Sequence, residues 1–592
     1  MKRFAPLFGL PALVLLAALV APLVSGDKTL ILRDVLQTHL LDRITLGESL
    51  RNFDLPLVDP LRAGGQALAG NLNALPFYPD NILLLLGAGA GQTLWALNAH
   101  FWLHWFVALG AAFWMGRAFS LPPPAAWMGA TVYVFSGYFA SQLNLYNTVV
   151  AAALAPALVA AFLETAPGKS PGTARRGVLC AALLWALLLL GGEPLLALLA
   201  LLAAVSALAV VAGARAFSLR LGLGLSAGTL LAAPQIVEMA RILPLSFRNY
   251  SGPGKTEAII GSFRPAHLAD LLWPFFFGRP NLAEVFAPQQ FDGFPPLYFT
   301  LYPGLLAVAL ALVGVRGALS GWRARGSGRN RAAIWSLGMV GVALFLALGR
   351  FNPVVAGLWS LPWGRLLRFP AKFWLLGAVG GSLLCGLGFE VALTHGRRTF
   401  VRLLAGLTTI FALLLVASIA TPARVAGWVA GLLKPDLPAA VLRGDLVRLQ
   451  GLSLLSIGLL LLALGVARLG RRAPVAAGAA LLFLHAATQA WAMLPAMPMD
   501  STAPYLEAPP LLAAIPAGSV IVQGEHLDLF RPGTTYQDAF RPGTIYLGAY
   551  PDGRFQWLAR RSARELYPFA ALAHGLRAEL AISPEGLDSF LT

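Results

Sequence analysis

Charge is scarce in this sequence: Asp, Glu, Lys and Arg together make up 12% of 592 residues, against 57% hydrophobic, where an average soluble domain carries about 25% charged residues. That excludes water as the main solvent. Cysteine is nearly absent. Cys180 and Cys385 both fall inside apolar stretches, so no external disulfide framework exists, and both read as small core residues. Acids are rarer than bases, 27 against 44, which leaves a net charge of +17. A nucleic-acid partner would need those bases gathered on one soluble face. They are instead dealt out between apolar segments, which argues for no nucleic acid. Soluble-enzyme signatures are missing as well: there is no phosphate loop, dinucleotide fingerprint, zinc spacing or nucleophile elbow.

What is present is a succession of apolar stretches, such as Pro194 to Gly213 and Leu297 to Val315. Each has the roughly 20 residues that cross a hydrocarbon layer of about 30 Å. The reading is an all-α polytopic membrane protein of about 13 helices. They are expected over 5–24, 92–116, 122–140, 147–164, 177–192, 194–213, 221–241, 297–315, 333–349, 372–391, 403–420, 451–468 and 474–492. Basic clusters at Lys2 and Arg3, Arg117, Lys169 to Arg176, Arg215 and Arg220, Arg316 to Arg331, Arg397 to Arg402 and Arg468 to Arg472 then all face the cytoplasm by the positive-inside rule. Of the 27 acids, which play little part in that rule, only Glu164 and Glu390 fall on the same side. The N-terminus is expected inside and the C-terminus outside. Residues 1–25 also resemble a secretory signal, but the run from Phe4 to Val24 is near spanning length and reads as an uncleaved first helix.

The chain divides into a transmembrane part, 1–492, with long external loops at 26–91 and 242–296, and an external C-terminal domain, 493–592. That domain is expected to be a small α/β or β-rich module: Ser519 to Val522 is strand-like, and Phe530 to Thr534 returns as Phe540 to Thr544 around Pro-Gly turns. In the first loop, Leu30, Val35, Leu36, Leu40 and Leu41 are spaced as for a helix lying along the membrane surface.

Polar residues in or beside spans are costly and so are functional candidates. Asp34, about ten residues beyond the first helix, suits a general base toward an acceptor hydroxyl or a ligand for a divalent metal. On spacing alone the simpler reading is a solvated loop acid paired with Arg33 or Arg43. Arg368 and Lys372 precede the tenth helix and have the donors to grip a phosphate, or to snorkel to headgroups. Glu193 sits in the hairpin Gly191-Gly192-Glu193-Pro194, where local pairing is expected. Glu238 and Arg241 have the spacing of an internal pair. His100 and His104 share a helix face, with no third metal ligand nearby in sequence, so packing is the simpler reading. Asp80 or Asn81 is expected to cap a short helix over Ile82 to Leu86. Trp273, Phe275, Phe276, Phe277, Trp359 and Trp363 are expected in an interfacial aromatic belt.

In order along the chain, Arg33-Asp34, Asn71 to Asn81 with Pro76-Phe77-Tyr78-Pro79, Ala233-Pro234-Gln235, Ser262-Phe263-Arg264-Pro265 through Leu272-Trp273-Pro274, Ala347-Leu348-Gly349-Arg350 and Leu367-Arg368-Phe369-Pro370 resemble the YfhO-like bacterial membrane proteins. These belong to the GT-C class of polytopic glycosyltransferases. The resemblance covers roughly residues 1–395. It implies transfer of a sugar from a polyprenyl-phosphate-linked donor to an envelope glycan, lipid or protein acceptor, at the external face of a bacterial inner membrane. It also implies an essential acid at Asp34 and a donor phosphate held by Arg368, with Lys372 or Arg264 as helpers. Cofactors stay unknown, a divalent metal being the candidate. GT-C members often carry paired acids in that loop, whereas the nearest acids to Asp34 are Asp27 and Asp42. The rivals are a non-enzymatic transporter or flippase of lipid-linked or amphipathic cargo, and an envelope scaffold. The lack of an internal repeat counts against transport.

Overall fold

The structure is a computed structural model that describes residues 5–31, 35–59, 66–213, 216–245, 258–276, 297–321, 328–361, 364, 367–433, 439–470, 473–507, 520–521 and 577–578. Its helices in chain order are α1 (Ala5–Val24), α2 (Leu40–Arg51), α3 (Ala90–Ala118), α4 (Pro123–Val134), α5 (Gly137–Gln142), α6 (Thr148–Glu164), α7 (Pro171–Leu190), α8 (Pro194–Ala212), α9 (Leu219–Leu231) and α10 (Ala233–Ile242). They continue with α11 (Leu305–Gly321), α12 (Gly328–Ala347), α13 (Pro353–Trp359), α14 (Trp374–Leu393), α15 (Arg397–Ala420), α16 (Pro422–Leu433), α17 (Ala439–Leu469), α18 (Pro474–Met493) and α19 (Ala503–Leu506). Short strands are β1 (Lys28–Leu30), β2 (Val58–Asp59), β3 (Gln66–Ala67), β4 (Met499–Ser501), β5 (Val520–Ile521) and β6 (Arg577–Ala578).

Proline in the first turn starts α4, α7, α8, α13 and α18, where its missing N–H would have no partner anyway. Ser170 and Ser218 cap α7 and α9 by accepting from Thr173 N (3.2 Å) and Leu221 N (3.3 Å). Among the described residues seven helical segments are long and apolar enough to cross a membrane, and a bent pair makes an eighth. All 13 expected stretches carry helix, but several are reshaped. The 122–140 stretch breaks between Val134 and Gly137, and 221–241 bends by 59° where α9 meets α10. Pro234 stands in the first turn of α10 and cannot donate to the preceding turn. The stretch 297–315 turns helical only at Leu305, after Pro303 and Gly304.

The core is built on α6, whose every residue is buried, and on α14. Glycines let neighbours approach α14 closely. A Cβ at Gly388 would lie 1.8 Å from the Leu310 carbonyl oxygen of α11, and one at Gly386 2.7 Å from that of Ala125 in α4. One at Gly380 would lie 2.8 Å from the Ser336 carbonyl oxygen of α12. Between α15 and α17 lies a mostly apolar groove of about 820 Å³, lined by Leu415, Ile419, Val447 and Leu454 among others, with Gln450 as its polar member.

Segments expected on one side of the membrane meet one another. β1 pairs antiparallel with β4, Thr29 opposite Asp500, which joins the end of α1 to the end of α18. Trp95 Nε1 at the start of α3 donates to Val24 O (3.0 Å), and Asn144 Nδ2 before α6 donates to Ala496 O (2.6 Å). At the opposite end Arg176 pairs with Glu164 (2.7 Å) and Arg329 with Glu390 (2.6 Å). The two acids expected among the cytoplasmic bases thus contact those bases.

The first loop differs from expectation. Leu30, Val35, Leu40 and Leu41 are buried and belong to a strand, a single wide turn over Val35–His39 and α2. The apolar residues that suggested a surface helix face protein. The expected aromatic belt is also displaced: Trp273, Phe275, Phe276 and Trp359 are buried, and Trp273 packs on Phe411, ring centres 5.2 Å apart. Phe277 and Trp363 lie outside the described residues, as does most of 493–592. There β5 and β6 form a parallel pair, and the repeat over 530–544 lies outside the described residues.

Candidate functional site

Two clusters of polar residues occupy the end of the bundle where β1 meets β4. The first is assembled from α2, the loop before α3, α3 itself and the residue before α6. Pro79 opens a 3-10 turn over Pro79–Leu85, capped by Tyr78 without a side-chain bond. Asp80 and Asn81 therefore do not cap it, contrary to expectation. Both side chains turn inward instead. Asn81 Nδ2 donates to the carbonyls of Leu75 (2.8 Å) and Pro76 (2.9 Å), and its Oδ1 accepts from Arg43. Arg43 Nη2 lies 3.4 Å from Asp80 Oδ1, and the other Asp80 oxygen is hydrogen-bonded to His100 Nδ1.

His100 Nε2 donates to the Tyr146 carbonyl (2.8 Å), and His104 Nδ1 donates to the His100 carbonyl (2.6 Å). With its Nδ1 thus protonated, His104 Nε2 accepts from the Tyr78 hydroxyl (2.7 Å). Arg43 stacks on the Tyr146 ring at 4.6 Å. Arg43 is 1% exposed and His100 0%, so the cation is affordable only because its partners are fixed. Burial opposes charge on Asp80, but the His100 ring and the Arg43 guanidinium outweigh it and hold the carboxyl below the usual carboxylate range. Burial, opposed in part by the Asp80 charge, lowers the affinity of Arg43 for its proton. Asp80 is thus the third ligand-type side chain that the sequence spacing of His100 and His104 did not reveal.

The second cluster gathers three of the segments that carry the family resemblance. Phe263 N donates to Ala347 O (2.7 Å), and Arg350 N donates to Ser262 Oγ (3.1 Å). Gly349 has φ +48°, and a Cβ there would stand 2.1 Å from Ser262 Oγ and 2.8 Å from Pro370 Cγ. Only glycine allows that approach. A Cβ at Gly261 would be 3.7 Å from Phe369 Cβ. The guanidiniums of Arg264 and Arg350 lie 5.4 and 4.8 Å from the Phe351 ring centre, and Arg368 and Lys372 lie 4.6 and 5.5 Å from that of Phe369. Four cations from three distant stretches thus share two aromatic faces. Burial, with the Arg264 charge beside it, pushes the His267 imidazole down to about 3, so at neutral pH its Nδ1 accepts from Arg264 N at 3.2 Å.

Lys372 also reaches across to Glu193, Nζ to Oε1 2.8 Å, with both side chains nearly buried. The local pairing expected for Glu193 is thereby replaced by a partner 179 residues away. Its hairpin is fixed by Gly192, φ +73°, where a Cβ would fall 2.0 Å from Leu72 O. Asn147 Nδ2 ties the two clusters by donating to Asn73 Oδ1 (3.0 Å) and Gly192 O (3.5 Å). Glu238 and Arg241 form the expected internal pair at 2.8 Å, on the surface. Asp34 and Arg33 lie outside the described residues. Arg43, Tyr78, Tyr146 and Arg350 were not among the candidates, and of these Tyr78 and Arg350 carried a signal, their place in recognised segments.

Fold and site define a multi-pass α-helical membrane protein with buried polar clusters at one end of its bundle. No family model matches the chain, and no curated protein does. Among solved structures it is similar to ArnT from Cupriavidus metallidurans bound to undecaprenyl phosphate, at TM-score 0.43 and 13% identity over 84% of this chain and 77% of that one. The same protein in the apo state gives 0.43 and 15% over 83% and 78%. The Archaeoglobus fulgidus oligosaccharyltransferase in the apo form gives 0.34 and 13% over 76% and 56%.

Proposed function

We propose that this protein is a membrane glycosyltransferase that moves a sugar from a polyprenyl-phosphate-linked donor to an envelope glycan, lipid or protein acceptor, at the external face of a bacterial inner membrane. One observation carries the reading: Ser262 to Pro265, Ala347 to Arg350 and Leu367 to Pro370, segments that carry the resemblance to GT-C enzymes, converge and bring Arg264, Arg350, Arg368 and Lys372 around two phenylalanine faces. Fixed cations at a membrane surface suit a phosphate whose negative charge grows as its bond to the sugar breaks. Arg368 holds the donor phosphate, with Arg264 and Arg350 beside it. Lys372 is held in place by Glu193. Asp34 takes the proton of the acceptor hydroxyl as the new bond to the sugar forms and polyprenyl phosphate leaves. Residues 1–492 form the catalytic membrane part and 493–592 an external domain.

Asp34→Asn, nearly isosteric, is expected to abolish the glycan modification in cells while the protein inserts at normal levels. Wild-type modification by that variant would remove the base and favour transport. The transport reading has one observation of its own, the break between α9 and α10, since interrupted helices are common in transporters. Donor flipping in vesicles that survives Asp34→Asn would select it.

A further inference from the structure

We infer that Asp80, His100 and His104 form a site for one divalent transition-metal ion of zinc-like softness, which clamps the first loop onto α3. Their ligand atoms lie within 4.8 Å of one another, and a metal with bonds of about 2.1 Å needs such atoms roughly 3.4 Å apart. The ion would draw these side chains together as it binds. The independent observation is the orientation of the rings. Each histidine donates its outward N–H to a backbone carbonyl, His100 Nε2 to Tyr146 (2.8 Å) and His104 Nδ1 to His100 (2.6 Å). That is how ligating histidines are held so that the remaining nitrogen is aimed at a metal, and the proton that His100 Nδ1 shares with Asp80 would leave as the ion binds.

Those remaining nitrogens, His100 Nδ1 and His104 Nε2, face the Asp80 carboxylate and the Tyr78 hydroxyl. Arg43 is placed on the far oxygen of Asp80, as an outer group that orients a ligating carboxylate. Two imidazoles and one carboxylate, with Tyr78 beside the open position, select zinc, cobalt or a similar ion over magnesium or calcium, which favour all-oxygen sets. Bound there, the ion would join the turn at Pro79–Leu85 to α3 and, through Arg43, to α2. It is a structural clamp, and it stands or falls separately from the sugar-transfer reading.

The full-length chain, purified in detergent with a tag free of histidine, is stripped with chelator and titrated with zinc, and in parallel with cobalt. We expect about one zinc per chain by elemental analysis, visible cobalt bands typical of a low-coordinate nitrogen and oxygen site, and a thermal midpoint that rises with zinc. His104→Gln and Asp80→Asn should each lower zinc affinity at least tenfold. The cobalt spectrum needs no variant and so keeps the test valid if a variant misfolds. Wild-type protein that shows neither cobalt bands nor a zinc-dependent midpoint overturns the inference. So does stoichiometric zinc that persists with unchanged affinity in folded His104→Gln.

Discussion

The two ends of the bundle handle charge in opposite ways. At the end that bears the clusters, Arg43 and Lys372 are 1% and 11% exposed and each meets a carboxylate brought from far along the chain. At the other end Arg176 and Arg329 are 63% and 64% exposed, and their partners lie on helices whose ends they flank. An exposed pair gains little, because water screens it and both side chains lose freedom. A buried pair is costly to assemble and costlier to break. The distribution teaches that the exposed pairs depend little on exact geometry, whereas the buried ones are kept for position. The first group needs only number, the second needs geometry.

The contrast can be broken by substitution. Arg43→Met leaves Asp80 buried without its guanidinium and should cost about 3–5 kcal/mol, read as a large fall in the thermal midpoint of the detergent-solubilised protein. Next, Lys372→Met should cost about 3 kcal/mol because Glu193 is stranded, while Lys372→Met with Glu193→Gln should recover most of that loss. A double-mutant cycle on the same melts reads the coupling, and strictly additive losses would show the pair to be incidental. Smallest of all, Arg329→Ala at the opposite end should change stability by no more than about 1 kcal/mol. A loss as large as that of Arg43→Met would erase the distinction between the ends.

The helices were legible because their signal is local: apolar runs of spanning length and bases between them. The same locality made the Glu238–Arg241 pair readable, since three residues of helix fix its geometry. The polar clusters were not legible, for the complementary reason. Asp80 meets His100 across 20 residues, Arg43 across 37, and Lys372 finds Glu193 across 179, separations set by helix packing that no spacing rule encodes. Asp80 misled because Asp and Asn are favoured caps, whereas Pro79 takes the first position of the turn and leaves Tyr78 as its cap, and the Asp80 oxygens go to Arg43 and His100 instead. The first loop misled in a similar way. Helical spacing of apolar residues shows that a face will be covered, and protein covers it here as readily as lipid would have. Of the basic cluster, the membership of Arg368, Lys372 and Arg264 was readable from the resemblance, and their meeting over Phe351 and Phe369 was not.

On the proposed function, the converged cations form the donor phosphate site. The most direct test is a map of the wild-type protein in lipid nanodiscs with polyprenyl phosphate added. Headgroup density is expected against Arg368 and Arg350, and is expected to be lost in Arg368→Ala with the bundle unchanged. A headgroup resting at the Arg176 and Arg329 end, or density unmoved by Arg368→Ala, would contradict it.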